Sequence, residues 1–429
     1  MESIEGVIGK AIENGTILGA VLLAKDKSGS LDYVRAFGNR QISPEVKPMS
    51  PDTVFTIASM TKLMTTIAAL QLVERKIVAL DDDVTPLLPV LVKQEVVTGF
   101  RQDETPVTEK RRYPITLRQL LTHSSGIGYD FLHPEINQYK EYHKLPMAGI
   151  TTINGRFGTP LLHQPGEGWS YGGGLDWAGQ LVEKLSGLTL EEYMKKHIWD
   201  PLGLKDITFW PDLRSKDFRA RRAAMSIRDP QTGKAVQSRK PIDLGAGLVE
   251  AAGGQGAFAT MTDYMEIVHS LLMDDERLLR KETTEMMFKP QLSSSSKAAL
   301  LANFEHPEWA VGNYPNTREY DWGFGGILID GDSHSYRKRS ALFWSGAPNL
   351  VWFVDRVAGA VALVVPLEST FKHCRGLTIT QPRRFGYETM SLGLERSCFS
   401  GPQVGKASET AIQRYTTQST HRSTLHIVS

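Results

Sequence analysis

The sequence predicts an α+β fold: one antiparallel sheet built from both chain ends, flanked by helices, with a large inserted helical lobe. Three observations predict it. Strand-like runs occur near the start, at 19–24 and 31–34, and return only late, at 326–329, 341–344, 350–354 and 360–365. Between them, helical periodicity alternates with Pro- and Gly-rich loops. Hydrophobic residues make up 41% and charged residues 23% of 429 positions, enough to bury a large core.

Taken in order, residues 3–13 place Ile4, Val7, Ile8 and Ile12 at helical spacing. The runs 19–24 and 31–34 flank Lys27-Ser28-Gly29-Ser30, which reads as the turn of a hairpin. An amphipathic helix is expected over 60–76 through Leu63, Ile67, Leu70, Leu72 and Val73, and further helices over 175–187 and 261–273. This divides the chain into a sheet subdomain, 1–58 plus 318–376, and a helical lobe, 59–317. Ser293–Ser296 reads as an exposed loop. Beyond Gly376 the sequence turns to Ser, Thr, Gln and Arg without periodicity, and 371–429 carries a net charge of +5. Residues 377–429 are therefore expected to form a poorly ordered tail.

Charge and composition exclude several classes. Lys+Arg number 49 against Asp+Glu 48, so the basic excess of a nucleic-acid binder is absent. Two cysteines, Cys374 and Cys398, exclude a disulfide scaffold and a Cys-rich zinc module. The acidic start and the lack of an 18-residue apolar run predict no signal peptide and no membrane span, hence a cytoplasmic protein. There is no Gly-x-Ser-x-Gly, Walker A loop, Gly-x-Gly-x-x-Gly or His-Glu-x-x-His. Gly253-Gly254-Gln255-Gly256 fits no phosphate loop and reads as a turn where backbone passes close to backbone.

Ser-x-x-Lys occurs three times, at Ser59–Lys62, Ser294–Lys297 and Ser335–Lys338. Only the first reads as opening an amphipathic helix, directly after the apolar run 54–58. Spacing i,i+3 sets Ser59 and Lys62 on one helix face. A lysine aimed into the interior at a helix start loses affinity for its proton and can help ionise the serine. The alternative is an ordinary helix start with a surface lysine. Two further features favour chemistry. Tyr171 lies on the glycine-dense loop 165–174, where a neighbouring ammonium would favour its phenolate and make it a base. Trp344-Ser345-Gly346-Ala347 ends a strand, where small residues leave amides free for a substrate carbonyl. The rival readings are a core tyrosine and a bulge.

Ser59-x-x-Lys62, then Tyr171, then a small-residue triplet on a late strand resembles the class C β-lactamase and penicillin-binding serine hydrolase superfamily. Supporting phrases are Leu120-Leu121-Thr122-His123-Ser124-Ser125-Gly126, Pro201-Leu202-Gly203-Leu204 and the glycine run at 253–256. Within it, Phe131-Leu132-His133-Pro134, the run 171–179 and Pro348-Asn349-Leu350-Val351-Trp352 are similar to fungal polyketide-pathway transesterases of the lovastatin side-chain acyltransferase type. The likeness spans residues 3 to 376 and implies a β-lactamase/transpeptidase-like fold.

The resemblance implies Ser59 as nucleophile and Lys62 with Tyr171 as the base couple. It further implies an oxyanion hole from the N–H groups of Ser59 and Ala347, and Trp344, Ser345 and Gly346 as substrate contacts. Trp344 stands where β-lactamases carry a lysine, which counts against antibiotic hydrolysis. Tyr129, Trp322 and Trp344 are candidate walls of an apolar acceptor site, with core packing as the alternative. His123 is read as structural, since a Ser-Lys-Tyr centre needs no imidazole. The implied activity is acyl transfer from a thioester to an alcohol of a secondary metabolite through acyl-Ser59. The donor would be an acyl carrier protein of a polyketide synthase or acyl-CoA, and no cofactor, metal, nucleic acid or membrane is called for. A carboxylesterase with the same machinery is the alternative, and a catalytically dead binding protein the reading from another class. The family closes with a helix that Cys374–Thr378 resembles only at its start, which suggests a retained intron or shifted frame beyond it.

Overall fold

The computed structural model describes residues 3–239, 244–366, 378–380 and 391–393. Ser3 caps α1 (Ile4–Glu13) by accepting from the Gly6 N–H, and Ile4, Val7, Ile8 and Ala11 form its buried face. There follow β1 (Gly19–Asp26), β2 (Asp32–Gln41), β3 (Lys47–Pro48) and β4 (Val54–Thr56). The helical middle contributes α2 (Thr61–Glu74), α3 (Gly174–Ser186), β5 (Ile207–Thr208), β6 (Phe258–Thr260), α4 (Met261–Met273) and α5 (Ser294–Asn303). Five further strands of the main sheet follow: β7 (Tyr320–Trp322), β8 (Ile327–Ile329), β9 (Leu342–Gly346), β10 (Leu350–Asp355) and β11 (Ala360–Pro366).

The main sheet runs β7-β8-β9-β10-β11-β1-β2-β3, every neighbour antiparallel. The first strand of the chain thus docks on the last of this sheet, with Val21 opposite Val365 and Leu23 opposite Leu363. β9, β10 and β11 are buried at every residue, so the inside–outside alternation of a half-solvated sheet is absent and both faces are covered. α4 packs on β1, β10 and β11. A second sheet, β4-β6-β5, leads the chain into α2.

Several expectations need correcting. α2 is buried on almost every face, not on one stripe. Two of its buried polar residues find main-chain partners: Thr65 Oγ1 donates to Gly253 O at 2.6 Å, and Gln71 Nε2 to Leu278 O at 2.9 Å. The serine run is the start of a helix and not a loop, because Ser293 Oγ accepts from the Ser296 N–H and caps α5. β7 and the small sheet escape sequence reading, being two or three residues long. The expectations for 371–377 and for most of 377–429 fall outside the described residues. Within that range, Thr378–Thr380 pairs antiparallel with Ser391–Gly393. No helix among the described residues is long and apolar enough to cross a membrane.

Candidate active site

The chain enters the site through a tight turn. Ile57 N–H donates to Ala257 O at 3.0 Å, and Ala58 then adopts φ +45°, a left-handed value that costs a non-glycine residue strain. Ser59 follows within a single 3₁₀ turn, Ala58–Met60, that runs straight into α2. Thr61 Oγ1 pins the turn from below through Ala58 O at 2.6 Å, while Tyr264 holds Met60 O at 2.9 Å. Ala58 and Met60 are buried and Ser59 is partly exposed, so its hydroxyl is the group of this turn offered to a substrate. One helical step on, Lys62 is 1% exposed and its Nζ lies 3.3 Å from Ser59 Oγ.

Two loops carry the tyrosines, and the main chain ties them together. Ser170 N–H donates to His123 O at 2.9 Å, Tyr129 N–H to Tyr171 O at 3.2 Å, and Gly172 N–H to His123 Nδ1 at 3.3 Å. Gly172 must be glycine, because a Cβ there would stand 2.0 Å from Ile127 O. The Tyr171 hydroxyl interacts with the Ser59 side chain and accepts from Trp344 Nε1 at 3.1 Å. Its ring centroid lies 4.6 Å from Lys62 Nζ. Ser59, Lys62 and Tyr171 are thus brought together.

Tyr129 is placed differently from the acceptor-site wall expected for it, which is a correction. Its hydroxyl is buried beneath the centre, accepting from Lys62 Nζ at 3.1 Å and donating to Asp176 Oδ2 at 3.3 Å. Lys62 also donates to Gly254 O at 2.7 Å, and the Gly254 N–H donates to Asp176 Oδ1 at 2.9 Å. Sequence reading missed Asp176. The signal that could have found it is an acidic residue in the first turn of the helix that follows Tyr171, flanked by the apolar Leu175 and Trp177.

Electrostatics separate the two candidate bases. Burial pushes Lys62 down to about 7, with the Asp176 carboxylate pulling the other way. Asp176 is itself raised, by burial first and against the pull of Lys62. Burial holds the Tyr171 phenol above its ordinary range, although Ser59 and Trp344 favour its ionised form. The expectation of a resting phenolate is therefore corrected: burial favours the neutral Tyr171 phenol, and the desolvated Lys62 amine is the group that gives up its proton near neutrality and is free to accept another. Burial, and next the Lys62 charge, keep His123 neutral, and it serves as a packed wall against Tyr171 and Trp322.

β9 supplies the opposite wall. A Cβ on Gly346 would meet Ile57 O at 2.4 Å, so the strand end lies directly against the turn that carries Ser59. Ala347 follows, partly exposed, in the hairpin turn after β9. The Ser59 amide belongs to the first turn of its helix, where no intrahelical acceptor exists. Trp344 and Trp322 are buried with ring centroids 4.8 Å apart, forming an aromatic wall with Trp169 behind Tyr171. Ser345 is buried as well, its hydroxyl engaged with Tyr314. Among the described residues no three His, Cys, Asp or Glu side chains converge on a metal position.

Comparison with known proteins agrees with this architecture. The family model described as Beta-lactamase matches residues 5–367. The lovastatin esterase of Penicillium rubens is 40% identical over 387 residues, covering 85% of this chain and 95% of the relative. The monacolin J acid methylbutanoyltransferase of Aspergillus terreus is 38% identical over 369 residues, covering 84% and 89%. The solved structure of unliganded simvastatin synthase (LovD) from Aspergillus terreus superposes with a TM-score of 0.79 at 38% identity, covering 85% of this chain and 92% of that one. By sequence over nearly its whole described length, and by fold, the chain is a member of the beta-lactamase family.

Proposed function

We propose that the protein is a serine acyltransferase that moves an acyl group from a thioester to an alcohol of a secondary metabolite, with acyl-Ser59 as intermediate. The observation that carries this reading is the partly exposed Ser59 hydroxyl held 3.3 Å from a buried lysine amine. Lys62, driven down to about 7, takes the Ser59 proton as the Oγ–carbonyl bond forms. The amides of Ser59 and Ala347 receive the oxyanion; removing one such donor typically costs about 3 kcal/mol of barrier. As the carbon–sulfur bond breaks, the Tyr171 phenol protonates the departing thiolate and is restored by the proton held on Lys62. The alcohol then attacks the acyl-enzyme by the same steps reversed, so protons balance over the cycle.

Relatives of both kinds support the two chemistries that this machinery can run: one is named a methylbutanoyltransferase, the other a lovastatin esterase. The transferase reading takes an acyl carrier protein or coenzyme A as the carrier of the donor. Trp344, donating to Tyr171 where a cation would hold a drug carboxylate, supports an ester or thioester substrate over an antibiotic. The test is to incubate the enzyme with a short acyl thioester, with and without a polycyclic alcohol. A transferase forms the ester whenever the alcohol is present. Free acid alone in both reactions assigns the esterase reading.

A further inference from the structure

We propose that Asp176 is the positioning residue for the Lys62 amine, acting through the Tyr129 hydroxyl and the main chain of Gly254. The catalytic centre would then rest on a buried relay of Ser59, Lys62, Tyr129 and Asp176, with Tyr171 on the leaving-group side. This rests on the reading of Lys62 as the base for Ser59. Hydrogen-bond directions run one way along it. Lys62 donates to the Tyr129 oxygen at 3.1 Å, and the Tyr129 hydroxyl proton goes to Asp176 Oδ2 at 3.3 Å. A second bridge runs in parallel, from Lys62 to Gly254 O at 2.7 Å and from the Gly254 N–H to Asp176 Oδ1 at 2.9 Å. Both carboxylate oxygens therefore point, at one remove, at the same amine.

The glycine at 254 is an independent mark of this bridge. A Cβ there would fall 2.4 Å from Asp176 Oδ2 and 2.8 Å from the Tyr129 hydroxyl, so any side chain would part the two. Asp176 has no exposure, and a buried carboxylate needs a cation nearby to stay ionised. Lys62 from α2 is the cation felt most strongly; the weaker field of Arg156 comes from the helix Ile153–Phe157, its Nη1 already spent on Leu244 O at 2.6 Å. Tyr129, Tyr171 and His123 are the other titratable groups around Lys62, and burial keeps all three uncharged.

The consequence is kinetic. When the Ser59 O–H bond breaks and an N–H bond forms on Lys62, the new ammonium arises within reach of a carboxylate already linked to it. Asp176 lowers the cost of that transfer and fixes the amine toward Ser59 instead of letting it swing toward Gly254 O alone. Without the carboxylate, Lys62 binds its proton less tightly. The amine would then be neutral at lower pH, but weaker as a base.

The test uses full-length enzyme and the variants Asp176→Asn and Tyr129→Phe. The readouts are the acid limb of kcat/KM with p-nitrophenyl acetate, the Tm, and acylation of Ser59 by mass spectrometry. The limb of Asp176→Asn should move to lower pH by about 1–3 units, the usual effect of removing an opposite charge, with a plateau rate roughly tenfold lower. Tyr129→Phe, which keeps the Gly254 bridge, should move it less but in the same direction. A merely structural role would lower Tm and leave the limb in place. If Asp176→Asn does not fold, Tyr129→Phe decides by the same criterion. Limbs unmoved in the folded variants overturn this inference alone, provided wild type acylates Ser59. A wild type that never acylates Ser59 overturns the proposed function with it.

Discussion

Lys62 titrating near 7 gives the acylation step a pH dependence that can be worked out in advance. The amine accepts the Ser59 proton only when neutral, so the rate rises with pH up to about 7 and levels above it. Each unit below that point cuts the neutral fraction tenfold, and at about pH 5 roughly one lysine in a hundred is competent. Tyr171, held above the ordinary phenol range by burial, stays protonated throughout and adds no limb of its own near neutrality. The assay is stopped-flow release of p-nitrophenol from an acyl ester between about pH 5 and about pH 9, reading the burst rate. Lys62→Met, which removes the amine but fills the same space, should cost about 10²–10⁴-fold in that rate. A flat burst rate down to about pH 5, or a rate still rising tenfold per unit at about pH 9 as the ordinary lysine value of about 10.4 would give, would refute the reasoning. So would a Lys62→Met variant with wild-type bursts.

Three further outcomes follow from contacts elsewhere. Gly172→Ala drives a Cβ to 2.0 Å from a main-chain oxygen, so the loop must shift and carry Tyr171 off Ser59; turnover should fall at least about 100-fold, checked by steady-state kinetics with a Tm control. Trp344→Phe deletes the donor to the Tyr171 oxygen at 3.1 Å, a loss of about 1 kcal/mol, or roughly fivefold in kcat, and an unchanged kcat would remove that bond from the account. Leu363→Ala hollows the buried strand that joins the two ends of the chain, and urea unfolding should show a loss of about 2–5 kcal/mol.

Much of this was legible in the chain because it is local. Ile4, Val7 and Ile8 fall on one helix face, and the apolar runs at 350–354 and 360–365 announce buried strands without any knowledge of their partners. Ser59 and Lys62 are one helical step apart, so their meeting needs only the helix. Tyr171 was marked by its glycines, whose reason is close passes: Gly172 against Ile127, Gly173 against Phe157 and Gly174 against Leu120. What was not legible depends on three stretches meeting at once. Tyr129, Asp176 and Gly254 come from separate segments, and nothing in the local sequence around Tyr129 distinguishes a hydroxyl on an amine from an aromatic lining a pocket. The resting state of Tyr171 was misjudged for the same reason: a neighbouring charge can be guessed from a motif, whereas full burial is a property of the packed molecule. Short strands such as Tyr320–Trp322 form because a neighbour offers its edge, and carry no periodicity of their own.

The central claim is that Ser59 becomes acylated. A short pulse of acyl thioester, rapid acid quench and peptide mass spectrometry test it directly. The account predicts one acyl mass increment on the peptide containing Ser59, absent in Ser59→Ala and discharged by a subsequent chase with alcohol. An unmodified Ser59 peptide under turnover, or a label carried by any other residue, would contradict it.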